Sequence, residues 1–161
     1  MTPTTRSYLR KQVIISGVSN AILNSLFFYL FNAGIDVIPA EKIFTDTFIT
    51  CGFVAGLVTW PTSFFTRREV SAGLPPLIRN SLIDRLPKRW PLLWLTLWLL
   101  SVFVVGLLTL LGFQLFGIGE IAFLPMLIVK FVSMGLLGGA LAALVATRYL
   151  QPGAVGVLQA K

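Results

Sequence analysis

Between Leu92 and Phe116 the chain reads LLWLTLWLLSVFVVGLLTLLGFQLF, with no Asp, Glu, Lys or Arg anywhere in it. As an α-helix at 1.5 Å per residue this stretch is about 37 Å long, enough to cross the roughly 30 Å of hydrocarbon in a bilayer. Three further apolar blocks of similar length flank it, from Val13 to Ala33, Ile43 to Phe65 and Ile121 to Ala146. Little of the 161-residue chain lies outside the four blocks, and only 12% of it is charged. A soluble helical bundle of this composition would have almost no solvated face. The sequence therefore predicts an all-α integral membrane protein with four transmembrane helices, forming one membrane domain over 1–161.

The first block is read as a retained span and not as a cleaved leader. It is too long for a signal-peptide core, contains Asn20 and Asn24, and has no clean small-x-small site after it. Orientation follows from the basic residues, which resist translocation when they lie close to a span. Arg6, Arg10 and Lys11 precede the first span, Arg67, Arg68, Arg79, Arg85, Lys88 and Arg89 separate the second from the third, and Arg148 and Lys161 follow the fourth. Only Lys42 and Lys130 fall elsewhere. Both termini and the central loop are thus expected on the cytoplasmic side. The net charge of +7 is matched to anionic lipid headgroups and not to nucleic acid, because it gathers at span ends. The basic loop residues are the expected headgroup contacts.

Within that loop, 67–91, Leu77, Ile78, Leu82, Ile83 and Leu86 recur at helical spacing between Pro75–Pro76 and Pro87. A short helix is expected, lying in the interface or packed on the bundle ends. Trp90, Trp94 and Trp98 share one helix face and read as headgroup anchors.

Laying the second half on the first with a shift of 83 residues matches Gly34–Ile35 to Gly117–Ile118, Phe48 to Phe131, Gly52 to Gly135 and Gly56 to Gly139. The organisation expected is two tandem hairpins, 13–66 and 92–147, followed by a tail over 148–161. Both hairpins start on the same side, so their pseudo-two-fold axis would run along the membrane normal. Gly52-x-x-x-Gly56 and Gly135-x-x-x-Gly139 then predict close packing of the second span on the fourth through their glycine faces.

Asn20-x-x-x-Asn24, the outer turn, Trp60-Pro61 and Arg67-Arg68 resemble small uncharacterised bacterial inner-membrane proteins built from tandem two-helix units. The resemblance implies a bacterial inner membrane and no activity.

Polar groups inside the spans are the candidate chemistry. Ser16, Asn20 and Asn24 line one face of the first helix, which must look inward. Lys130 lies about nine positions into the fourth block, where an ammonium near the helix centre costs about 2.5 to 3.5 kcal/mol. It either snorkels to the outer interface or pairs within the bundle. The shift of 83 puts Asp46 at its depth, although helical angles measured from the Gly135/Gly139 face argue against direct contact. Lys130, Asp46, Asn20 and Asn24 make up the candidate polar site.

There is no histidine, and Cys51 is the single cysteine. No catalytic motif, cofactor-binding motif or metal-ligand spacing is present, so enzyme, cofactor and metal readings have no support. The expected role is an oligomeric structural or accessory membrane component, partnered by itself or by another membrane protein. The alternative is a small-solute or ion transporter or channel subunit using the polar site.

Overall fold

The computed structural model describes residues 3–152. Its elements are α1 (Pro3–Asn32), β1 (Val37–Pro39), α2 (Ala40–Ser71), α3 (Ser81–Asp84), α4 (Trp90–Ser101), a π-helical turn (Val102–Gly106), α5 (Leu107–Phe116), β2 (Glu120–Ala122) and α6 (Phe123–Tyr149). Helix α4, the π turn and α5 are continuous and form the third long helix, Trp90–Phe116. With α1, α2 and α6 it makes four helices long and apolar enough to cross a membrane.

Helix ends follow from local chemistry. Gly73 (φ 97°) and Gly117 (φ 62°) adopt the left-handed conformation after α2 and α5. Leu74 N then donates to Glu69 O, and Ile118 N to Phe113 O, at 3.0 and 2.9 Å. These bonds satisfy carbonyls that the helix ends would leave open. Pro39 precedes α2, and Pro91 sits at the start of α4, where a missing N–H costs nothing. The helices overrun the apolar blocks on the side where the basic residues gather, α2 reaching Ser71 and α6 reaching Tyr149.

The packing is interlocked. Helix α1 lies along α6, the third long helix lies along α2, and α2 and α6 meet at the centre, while α1 touches α2 sparsely. Burial agrees: the apolar windows of α2 and α6 are each 39% buried, against 22% for α1 and 17% for the third helix. Val54, Val58, Met134, Leu141 and Val145 fill the α2–α6 seam, joined by Leu93 and Leu97 from α4. At the opposite end from the 67–91 loop, β1 and β2 pair antiparallel, with Ile38 opposite Ile121. Two flanking bonds of 2.9 Å extend the pairing, Ala40 N to Gly119 O and Phe123 N to Asp36 O. The fold is thus helical apart from one short strand pair, whose three-residue strands are too short to carry a recognisable period.

The expected join between the two glycine faces does not form. Gly135, Gly138 and Gly139 lie against α1, where a Cβ on Gly138 would come within 2.8 Å of Asn20 Cβ and 2.9 Å of Ser16 O. Gly52 and Gly56 lie against the rings of Trp98 and Trp94. Those rings stack at 5.7 Å, and their Nε1 atoms donate to Phe48 O and Gly52 O of α2. Trp94 and Trp98 therefore fasten α4 to α2 and are not simple headgroup anchors. Small residues do allow close approach, but each glycine pair serves a neighbour other than the one expected.

The central loop carries a short helix, but a shorter one than the spacing from Leu77 to Leu86 suggests. Its helix is one turn, Ser81–Asp84, capped by Asn80 Oδ1 accepting from Leu82 N and Ile83 N. Leu77 N donates to Leu150 O and Asn80 N to Gln151 Oε1, at 2.9 and 2.8 Å, so the loop is sewn to the end of α6. These bonds hold Leu77 and Asn80 outside the helix. Ile78 and Leu82 stay exposed, at 85% and 72%.

Candidate functional site

Lys130 stands in the third turn of α6, about 10 Å from that helix's first residue, and Asp46 about 9 Å into α2. Both helices start at the strand pair, so the two side chains share a level. The Lys130 side chain is 2% exposed and does not snorkel. Its Nζ forms an ion pair with Asp46 Oδ2, whose side chain is 29% exposed. Thr47 Oγ1 lies 3.4 Å from the ammonium and itself donates to Ile43 O at 2.7 Å, which leaves a lone pair facing the lysine. The Phe28 ring, with its centroid at 5.8 Å, closes another side.

The contact that helical angles argued against therefore forms, for a simple reason. Those angles were measured from a glycine face assumed to meet α2, but that face meets α1. The face of α6 that meets α2 carries Lys130, Met134, Leu141 and Val145, so the lysine lies on the α2–α6 seam itself.

Asn20 and Asn24 are buried on α1 but do not reach the lysine. Asn20 Nδ2 donates to Ser16 O and Asn24 Nδ2 to Asn20 O, each to a carbonyl of its own helix. Asn32 continues the face and bonds Phe28 O in the same way. The Oδ1 atoms of Asn20 and Asn32 are buried without a hydrogen-bond partner. Unsatisfied acceptors of this kind cost roughly 1 to 3 kcal/mol each.

Two grooves flank the pair. One, of about 540 Å³, opens between α1 and α2 and is lined by Asn24, Phe27, Phe31, Asp46, Ile49 and Phe53, with Lys42 also on its wall. The other, of about 260 Å³, lies between the third helix and α6, where Lys130, Thr109, Ser133 and Phe113 line it. Asp46 faces the first groove and Lys130 the second, so the ion pair forms part of the wall between them.

A second buried cation was missed because Arg148 reads from sequence as part of the tail. It belongs to α6 and is 1% exposed. Its Nε donates to Leu86 O at 2.7 Å and one terminal nitrogen to Asp84 Oδ1 at 3.1 Å. Beside it, Arg67 lies 4.5 Å over the Tyr149 ring and donates to Tyr149 Oη and Lys88 O. Arg79 pairs with the other oxygen of Asp84. The Arg79 hydrogen bond, with the charges of Arg79, Arg148 and Lys88, holds the Asp84 carboxyl below the usual carboxylate range. Of the residues expected at lipid headgroups, Arg67 and Arg79 thus serve the loop's own docking, while Arg68, Arg85, Lys88 and Arg89 are exposed. Lys161 lies outside the described residues.

No group of three or more metal-ligating side chains occurs among the described residues. Comparisons with protein families, with curated proteins and with solved structures give no match.

Proposed function

We propose that the chain is a multi-pass protein of the bacterial inner membrane, with both termini and the basic loop cytoplasmic, that moves a small solute or ion past the Lys130–Asp46 pair. One observation carries this reading. A buried ammonium within a helix long and apolar enough to cross a membrane is joined to a carboxylate that borders an open groove of about 540 Å³. Ionisable groups at such depth mark transport paths more often than packing sites. A structural or accessory role would also use such a pair, to fix the packing of α2 on α6; the groove beside the carboxylate is what favours transport.

The bundle is read as two tandem hairpins about a pseudo-two-fold axis along the membrane normal. Supporting this, the Ala40 N–Gly119 O bond becomes the Phe123 N–Asp36 O bond when each residue is moved by 83 in the appropriate direction. The same interval relates Ile38 to Ile121, which face each other, and it relates buried Ile43, Thr47, Cys51 and Val58 to buried Met126, Lys130, Met134 and Leu141. Thr47 and Lys130 are counterparts that touch, so the axis passes between them. Two identical hairpins would bring like against like there, and two lysines would repel. Divergence of the copies, with an acid in the first and an amine in the second, makes a charged pair on the axis feasible.

Full-length protein in liposomes, followed with internal pH and chloride dyes under acetate, chloride and proton gradients, tests the reading. Wild-type protein is expected to carry at least one flux, and Lys130→Met/Asp46→Leu, which removes both charges together, none. Equal flux from the two proteins would make the pair a packing device.

A further inference from the structure

The occupant of Lys130 is itself a carboxylate on a short tether. Asp46 has one cation as its partner and shares a groove with a second. Lys130 lies across the seam and holds it, while Lys42 lies one turn earlier on α2, lines the same groove, and forms no ion pair among the described residues. Residues four apart on a helix have Cβ atoms about 5 to 6 Å apart, so one rotation about χ1 and χ2 carries the Asp46 carboxylate from Lys130 toward Lys42. Lys130 itself lines the other groove, so that rotation opens the wall between the two and brings its ammonium within reach of the α1–α2 groove. The walls there are aromatic and aliphatic, from Phe27, Phe28, Phe31, Ile49 and Phe53. Such walls disfavour a polyanion or a strongly hydrated ion, whose shed water they cannot replace with hydrogen bonds.

We propose that the α1–α2 groove binds an organic carboxylate with an apolar body, whose carboxylate replaces that of Asp46 on Lys130 while Asp46 transfers to Lys42. Asp46 is then a tethered competitor that keeps Lys130 paired in the empty state. The inference rests on the reading of this pair as a functional site and names the ligand class. Exchange of one carboxylate for another leaves the buried charge balance unchanged, which makes the step feasible in a medium where an unpaired ammonium is not.

Thermal unfolding of the full chain in detergent, with benzoate as probe and neutral benzamide as control, decides it. Benzoate stabilises the wild type and benzamide does not. Removing a competitor raises the fraction of Lys130 free to bind, so Asp46→Ala binds benzoate more tightly, on the order of tenfold. Lys130→Met loses the benzoate response. Lys42→Gln, with Asp46 intact, weakens it, because the displaced carboxylate has no cation to meet. If Asp46→Ala fails to fold alone and folds with benzoate present, the rescue supports the exchange; if it folds in neither, the Lys42 and Lys130 variants decide. Equal shifts from benzoate and benzamide, or wild-type benzoate affinity in both lysine variants, would overturn the proposal. Flux without benzoate binding refutes this ligand class and leaves transport standing, whereas binding without flux does the reverse.

Discussion

Lys130 and Arg148 stand on the same helix about 27 Å apart, each almost wholly buried and each paired with an aspartate, yet their surroundings differ in kind. Arg148 is held by two partners in fixed directions, a carboxylate and the Leu86 carbonyl, and both belong to the loop that it fastens. Its planar fork suits such a clasp. Lys130 has one charged partner, a marginal hydroxyl contact and an aromatic ring, and its aspartate borders an open groove. A saturated, geometrically fixed cation is a fastening. A compact, singly paired one beside a groove can change partners.

Removing Asp46 should have the largest effect, because it strands an ammonium in an apolar seam. Asp46→Ala is expected to lose about 3 to 5 kcal/mol of stability, and adding Lys130→Met to recover most of it, as read from thermal unfolding in detergent. No recovery in the double variant would mean that the pair is not a closed unit. Next comes the α1–α6 contact. Gly138→Leu places carbon where Asn20 and Ser16 already stand, and should cost at least about 1 to 3 kcal/mol. Gly56→Ala meets the Trp94 ring at an ordinary 3.4 Å and should be close to neutral, so similar losses at both sites would contradict the difference in packing.

Arg148→Ala sharpens the comparison from the other side. The bundle loses about 1 to 3 kcal/mol, and proteolysis between Leu74 and Arg89 accelerates, but flux and ligand response at Lys130 stay as in the wild type. The smallest effect is that of acid on the clasp. The pKa of Asp84 is lowered by folding, so its contribution is present above the unfolded value near 4 and is lost as pH falls through the lower folded value. Loop protection measured by limited proteolysis should therefore persist at about pH 4 and fail only in stronger acid. Loss of protection by about pH 5 would mean that Asp84 is not held as described.

The four long helices were legible because each apolar block is, by length and composition alone, long enough to cross a bilayer. Their true ends were not, since α2 and α6 run on past Phe65 and Ala146 into polar sequence, where hydropathy no longer reports helix. That overrun hid Arg148. The depth of Asp46 and Lys130 was readable from the interval of 83, but their contact depends on which neighbour each glycine face meets. Gly135 and Gly52 look alike in sequence. One packs on a backbone in α1 and the other under the Trp98 ring, and no local pattern distinguishes the two. Asn20 and Asn24 were expected in the polar site with Lys130, but their amides bond carbonyls one turn back, a choice that spacing alone leaves open.

The central claim is that Asp46 borders a groove open to water while its buried neighbour on α2, Cys51, is sealed from it. Thr50 lines that groove, and the native Cys51 beside it is wholly buried. Reaction of Thr50→Cys/Cys51→Ala with a charged, membrane-impermeant thiol reagent, applied to the outer face of intact cells, tests the claim most directly. Rapid labelling of this double variant, with the wild-type protein and its Cys51 silent under the same conditions, is the result predicted. Silence of both proteins would mean that the groove is closed to water and the Lys130–Asp46 pair is structural.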